Sequence, residues 1–311
     1  MTPKQNEAQL ATVHDNFEFV KSRIGNDYGE MTRSFQRRLT GSGFVAELSA
    51  DTWRPGSWTL TIDGTPQSHV DTEDPTQLHF DYIRRIGHAI DAAFAKGEPV
   101  TALHLGAGAL TVPRYIDATR PGSRQQVVEI ERELIDFVRE HLPFPRGASI
   151  RCRYGDARAV MEALPSGLSG NIDLIVVDVF RGARTPAHVT SVEFYRAAQY
   201  LLSPRGVLIA NVADGPPLSF ARGQLATLRH VFTHAAATGE HGVMKSKRFG
   251  NVVLVASDAP LPWVSKLAPL GPHPAHTVSG DESAEWSAAG NVVTDSTSVD
   301  SPPPGRNQFR T

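Results

Sequence analysis

The stretch Thr101-Ala-Leu-His-Leu-Gly-Ala-Gly-Ala-Leu-Thr111 limits the possible folds of this chain more than any other. A short apolar run stops abruptly at Gly106 and Gly108. A second apolar run, Val127-Val-Glu-Ile-Glu131, carries an acid at Glu129. A buried strand, a glycine turn, a helix and a second strand tipped with a carboxylate make a nucleoside pocket. The glycines let the backbone approach a ligand, and the carboxylate accepts hydrogen bonds from ribose hydroxyls.

The segments that follow keep this rhythm. Strands are expected at 101–106, 125–130, 149–153, 172–178 and 206–212, with helices at 110–118, 131–140, 157–163 and 191–202. The run Ile172-Asp-Leu-Ile-Val-Val-Asp178 is apolar on both faces, which suits a parallel sheet covered by helices. A helix near 219–230 precedes strands near 241–247 and 250–257, joined by a turn at Phe249-Gly250-Asn251. The expected architecture is α/β: a Rossmann-like S-adenosylmethionine-dependent methyltransferase fold, a mostly parallel seven-stranded sheet with a terminal antiparallel hairpin. A small N-terminal β unit precedes it.

Four segments follow from this pattern. Residues 1–43 form a polar N-terminal extension whose Arg33, Arg37 and Arg38 read as a solvated face. Residues 44–97 hold the small β unit and a linking helix. Phe44-Val-Ala-Glu-Leu-Ser and Ser57-Trp-Thr-Leu-Thr-Ile-Asp63 alternate apolar with polar, and Asp63-Gly64 signals a turn. Asp74-Pro75 introduces the helix, with Leu78, Tyr82, Ile83, Ile86, Ile90, Ala93 and Phe94 at helical spacing before Gly97. Residues 98–262 form the nucleoside-binding domain. Residues 263–311 form a Pro/Ser-rich tail, partly docked through Trp286, Val292 and Val293 and mobile from Pro302 onward.

Composition excludes other classes. A net charge of −2 over 311 residues argues against a nucleic-acid partner. The single cysteine, Cys152, permits neither an intramolecular disulfide nor a cysteine cage for a metal. His273 and His276 stand in a Pro-rich loop, so no metal is expected. Nothing reads as a secretory signal or a membrane span, and the expected setting is cytoplasmic.

In a doubly wound sheet the ligand lies at the carboxyl ends of the strands. Those ends deliver Gly106-Ala-Gly108, Glu129, Gly155-Asp156-Ala157 and Asp178. Asp156 alone could simply cap a helix; four such ends in succession point to a ligand. Thr111 stands where a dinucleotide fingerprint needs its third glycine, so a single nucleoside fits better.

The ordered set Gly106-Ala-Gly108, Val128-Glu-Ile-Glu131, Gly155-Asp-Ala157, Val176-Val-Asp178, Ser191-Val-Glu-Phe-Tyr195 and Leu202-Ser-Pro-Arg-Gly-Val207 resembles the spermidine synthase (polyamine aminopropyltransferase) family, in particular an actinobacterial-type branch. Leu60-Thr-Ile-Asp-Gly-Thr-Pro-Gln67 resembles its N-terminal β domain. The resemblance implies decarboxylated S-adenosylmethionine as co-substrate. Gly106, Gly108, Glu129, Asp156 and Ala157 would bind it, and Asp178 would be the base for a putrescine-like amine. Gln67, Asp81, Arg181 and Tyr195 would be substrate contacts, and a homodimer is compatible with the family. Two acids of the family pattern are replaced, by Ala109 and Arg181. A Tyr-His-Glu run is blurred to Leu78-His-Phe-Asp81. These departures keep two alternatives open: a methyltransferase using S-adenosylmethionine itself on an unknown acceptor, and a non-catalytic adenosyl-nucleoside-binding protein.

Overall fold

The structure is a computed structural model and describes residues 33–304. Residues 1–32 of the polar extension and 305–311 of the tail lie outside the described residues.

Four antiparallel strands come first: β1 (Ser34–Arg38), β2 (Val45–Ala50), β3 (Ser57–Ile62) and β4 (Thr65–Asp71), paired in chain order. The first lies inside the stretch read as a polar extension. Its sequence Ser-Phe-Gln-Arg-Arg does alternate, but of its two inward positions, Phe35 and Arg37, one is an arginine. Arg37 lies over the Phe137 ring, 5.1 Å from its centroid, and reaches Glu140 at 2.7 Å. A long cationic stem thus does the work of an apolar residue.

Helix α1 (Asp81–Ala93) buries Ile83, Ile86, Ala89 and Ile90. Then strands and helices alternate: β5 (Thr101–Leu105), α2 (Thr111–Thr119), β6 (Arg124–Glu129), α3 (Arg132–His141), β7 (Ile150–Tyr154), α4 (Ala157–Glu162), β8 (Ile172–Val177), α5 (Val192–Leu201), β9 (Leu202–Asp214) and α6 (Ser219–Val231). β10 (His234–Glu240), the short α7 (His241–Met244) and β11 (Gly250–Ser257) follow. The chain then forms α8 (Leu267–Leu270), β12 (Ala275–Val278) and α9 (Gly280–Ser287).

The central sheet has the order β12-β10-β11-β9-β8-β5-β6-β7. Strands β5 to β9 are mutually parallel, and β11 runs antiparallel to both β9 and β10. This is the expected Rossmann-like arrangement with one strand added. β12 was read as loop because Gly271-Pro-His-Pro introduces it; it pairs with β10 from Ala275 to Val278. The stretch read as a strand at 241–247 is α7 and a turn. Its strand, β10, lies earlier, in the alanine-rich His234–Glu240, where weak strand propensity hides a fully covered position. Gly250 and Asn251, read as the hairpin turn, lie within β11.

Both faces of the sheet are apolar, in alternation. Leu103, Leu105, Ile175 and Val177 join α5, α6 and α9 in one core. Ala102, Leu174, Val176 and Ile209 join α1 and α2 in another. A third core joins the N-terminal sheet to α3 through Leu39, Leu48, Leu60, Ile135 and Val138. In the tail, Trp286 is buried and Val293 bonds through its backbone to Val192 and Thr227, whereas Val292 stays exposed.

Candidate active site

A cavity of about 520 Å³ opens at the carboxyl ends of β5, β6, β7 and β8. The N-terminal sheet closes one side, and the loop after β8 closes another. Two glycines make this approach possible. A Cβ at Gly106 would stand 2.1 Å from the Asp178 carbonyl oxygen, and one at Gly108 would stand 2.2 Å from Ser68 Oγ. Both have positive φ, which a side chain disfavours. Thr111, at the missing third glycine, spends its hydroxyl on the His69 carbonyl of β4 at 3.0 Å. This bond ties the N-terminal sheet to the start of α2.

Glu129 ends β6 inside the cavity. The Ala107 and Glu131 amides each donate to it at 3.1 Å. Its pKa is nevertheless raised, because desolvation outweighs those amides. Both oxygens keep lone pairs for further donors. Next to it, Ile130 is 59% exposed yet lines the cavity. An exposed isoleucine in a concave site offers a flat apolar ligand a surface to lie on.

Asp156 caps α4 by accepting from the Ala159 amide at 3.0 Å, so its capping role is real. Its other oxygen meets His188 Nε2 at 2.6 Å. Desolvation pushes its pKa up, but the Ala159 amide and His188 together hold it below the usual aspartate value.

Asp178 directly follows β8 and lines the cavity, half-buried. Burial raises its pKa to about 6, against an opposing hydrogen bond from Asn211. The Tyr82 hydroxyl bonds the Gln67 carbonyl at 3.3 Å, and its pKa is raised by burial and then by the Asp178 charge.

The residues expected from sequence divide clearly. Gly106, Gly108, Glu129, Asp156, Ala157, Asp178, Gln67 and Arg181 all line this cavity. Asp81 does not: it is exposed at the start of α1, 3.9 Å from Arg84, and its neighbour Tyr82 lines the cavity instead. Tyr195 does not either. It is buried in the core, with its hydroxyl donating to Gln224 at 2.8 Å. A tyrosine on a helix packed against the sheet serves packing first. Ala109 is fully buried among apolar side chains, so no charge stands at that position. Sequence reasoning missed Tyr82, Ile130, His188 and His104. Of these, His104 had a visible signal: it is a histidine inside an otherwise apolar strand.

The tail braces the loop that carries Arg181 and His188. Asp295 makes a two-pronged pair with Arg158 at 2.6 and 2.9 Å. Ser301 Oγ accepts from the Thr185 amide at 2.8 Å, and the Asp300 carboxylate accepts from the Ala187 amide at 2.9 Å.

No protein-family model matches the chain. Among curated proteins, the polyamine aminopropyltransferase of Vibrio vulnificus is 29% identical over 163 residues, covering 51% of this chain and 52% of that protein. Polyamine aminopropyltransferase 2 of Pseudomonas aeruginosa is 30% identical over 197 residues, covering 60% and 52%. The chain therefore spans about half the length of these curated relatives. A probable spermidine synthase from Corynebacterium glutamicum superposes with a TM-score of 0.75 at 29% identity, covering 90% of this chain and all of that one. The chain is thus similar in sequence and fold to spermidine synthase-like proteins.

Proposed function

We propose that the chain is a spermidine synthase-like aminopropyltransferase that moves an aminopropyl group from decarboxylated S-adenosylmethionine to a small amine. The observation that carries this reading is Asp178: a half-buried carboxylate with its pKa raised to about 6, in one cavity with Glu129 and Asp156. Glu129 would take the ribose hydroxyls. Asp156 would accept from the adenine amino group, sharing the oxygen that now meets His188. Ile130 would lie against the adenine face.

An alkylamine has a pKa near that of lysine, about 10.4, so at pH 7 it is an ammonium and cannot attack. Asp178 takes one proton from it. The freed nitrogen lone pair then forms a bond to the aminopropyl carbon beside the sulfonium. The carbon–sulfur bond breaks, its electrons return to sulfur, and methylthioadenosine leaves. A base with a pKa near 6 is ionised at pH 7 yet close enough to the working pH to accept a proton effectively. Alignment of nitrogen, carbon and sulfur in the cavity supplies much of the remainder.

Incubation with decarboxylated S-adenosylmethionine and a panel of amines tests this by release of methylthioadenosine. No release with any amine would sink it. The buried Ala109 favours one other reading, methyl transfer from S-adenosylmethionine, since that reaction needs no partner for an aminopropyl ammonium. Formation of S-adenosylhomocysteine separates the two. The acceptor, a cytoplasmic setting and a homodimer are part of the same proposal.

A further inference from the structure

Asp156 and His188 line the same cavity but reach it from separate parts of the chain. Asp156 caps α4, and His188 lies in the loop after β8, 32 positions later. Each Asp156 oxygen has one donor. The Ala159 amide donates to Oδ1 at 3.0 Å, and His188 Nε2 donates to Oδ2 at 2.6 Å. Desolvation pushes the carboxyl toward its protonated form, but the Ala159 amide and His188 hold it ionised, so it accepts and does not donate. A carboxylate oxygen has two lone pairs, so each oxygen keeps one for a further donor. The Asp156 side chain is 38% exposed at the cavity it lines, which leaves room for that donor.

The second bond fixes direction. The terminal torsion of an aspartate is broad, so a carboxylate held at one oxygen swings and its free lone pairs swing with it. Held at both, it turns only by breaking a bond. The histidine is itself anchored. The Ala187 amide donates to Asp300 at 2.9 Å, Thr190 Oγ1 donates to the Ala187 carbonyl at 2.6 Å, and Arg158 Nη1 donates to the His188 carbonyl at 3.4 Å. The next side chain, Val189, is buried. Arg158 stands on α4 itself, two residues after Asp156, so the helix that presents the acid also holds the backbone that presents the ring. An exposed ion pair between loose side chains contributes about 0–1 kcal/mol and little direction. This pair joins two anchored backbones, the arrangement that recognition needs.

We propose that His188 is a positioning residue for the nucleobase: its bond to Oδ2 holds the Asp156 carboxylate turned so that a free lone pair meets an exocyclic amino group of the base. This rests on the reading of the cavity as an adenosyl site. His188 acts through Asp156 and makes no bond to the amino group itself.

Calorimetric titration with two probes tests it: methylthioadenosine, and the same nucleoside with hydrogen in place of the 6-amino group. The unaltered protein should bind the amino form at least tenfold tighter, the scale of one hydrogen bond to a charged acceptor. In His188→Ala that ratio should fall to within about twofold of unity, while affinity for the desamino form stays within about twofold, which also shows that the variant is folded. His188→Gln, which keeps an N–H donor, should restore part of the ratio. In Asp156→Ala the ratio should already be lost, and adding His188→Ala should change it no further. An equal loss for both probes in His188→Ala would make the histidine a mere wall of the cavity and overturn the proposal. So would an unchanged ratio, or tighter binding of the amino form, which would mean that the ring competes with the base for Oδ2. A further loss in the double variant would mean that His188 bonds the amino group directly, and would overturn it too. Equal binding of the two probes to the unaltered protein overturns this proposal alone. Failure of both to bind removes the reading of the preceding subsection, and this proposal with it.

Discussion

Asn211 Nδ2 donates to Asp178 Oδ1 at 2.8 Å, and Asn251 Nδ2 in turn donates to Asn211 Oδ1 at 3.1 Å. Two amides in series aim a hydrogen at the carboxylate. The second fixes the first, because an amide whose oxygen is already accepting cannot flip without losing both bonds. No other donor reaches the Asp178 carboxylate among the described residues, so this bond is what restrains its pKa against burial.

Removing that bond moves the titration of Asp178. In Asn211→Ala the opposing hydrogen bond is gone, so the Asp178 pKa rises above about 6. The acid limb of the kcat/KM profile for methylthioadenosine release should move to higher pH. A profile that superimposes on the original would mean that Asp178 does not set that limb.

Asp178→Asn should keep nucleoside binding within about twofold and abolish turnover, since the amide keeps the shape without the base. Its stability changes in a definite direction. The folded pKa lies above the ordinary value of 3.8, so the native state holds the proton more tightly than the unfolded chain. Any stability from this group is present at low pH and is lost as pH rises from about 4 through about 6. At pH 8 the charge at Asp178 costs on the order of 3 kcal/mol. The variant should therefore melt higher at pH 8 and coincide with the parent at pH 4. Thermal melts across this range check it.

Glu129→Ala should weaken methylthioadenosine binding by about 30-fold or more, the scale of one or two hydrogen bonds to a charged acceptor. Glu129→Gln keeps one acceptor oxygen and should fall between. Calorimetric titration decides; unchanged affinity in the alanine variant would reject the ribose assignment.

Ser301→Ala leaves the Thr185 amide, which lies on a buried residue, without its acceptor. The expected loss is about 1–2 kcal/mol, or a few degrees in Tm. Hydrogen exchange at Thr185 and Ala187 should accelerate more than in β8. Uniform acceleration over the whole sheet would argue against a local brace.

The parallel strands and their acid-bearing ends were legible because two-sided burial writes continuous apolar runs, as in Ile172–Val177. The glycine turn was legible because nothing larger fits beside Asp178. Other features left weaker traces. β1 hid behind its arginines, of which Arg37 packs by its stem, and β10 hid in alanines. β12 is legible only as a partner for β10, since four residues after a proline pair carry no period of their own. Within the site, the sequence marks Asp156 at a strand end but gives no sign of His188 beside it, because their pairing joins positions 32 apart through a loop. Tyr195 was misplaced because its motif also matches ordinary packing of an amphipathic helix. One register step separated Asp81 from Tyr82, and only the helix geometry settles which of the two faces inward.

The brace on the loop after β8 also sets an order of events during synthesis. Thr185 and Ser301 are 116 residues apart. At ordinary translation rates the loop is made on the order of ten seconds before its anchor. The sheet can assemble in that interval, because its remaining strands, β9 to β12, are made before Ser301, but one wall of the cavity must wait. A nascent chain halted anywhere before residue 295 would carry Asp178, the glycine turn and Glu129 without the strap that holds the Arg181–His188 wall in position. Completion of the pocket is therefore a late step of biogenesis, separate in time from formation of the fold.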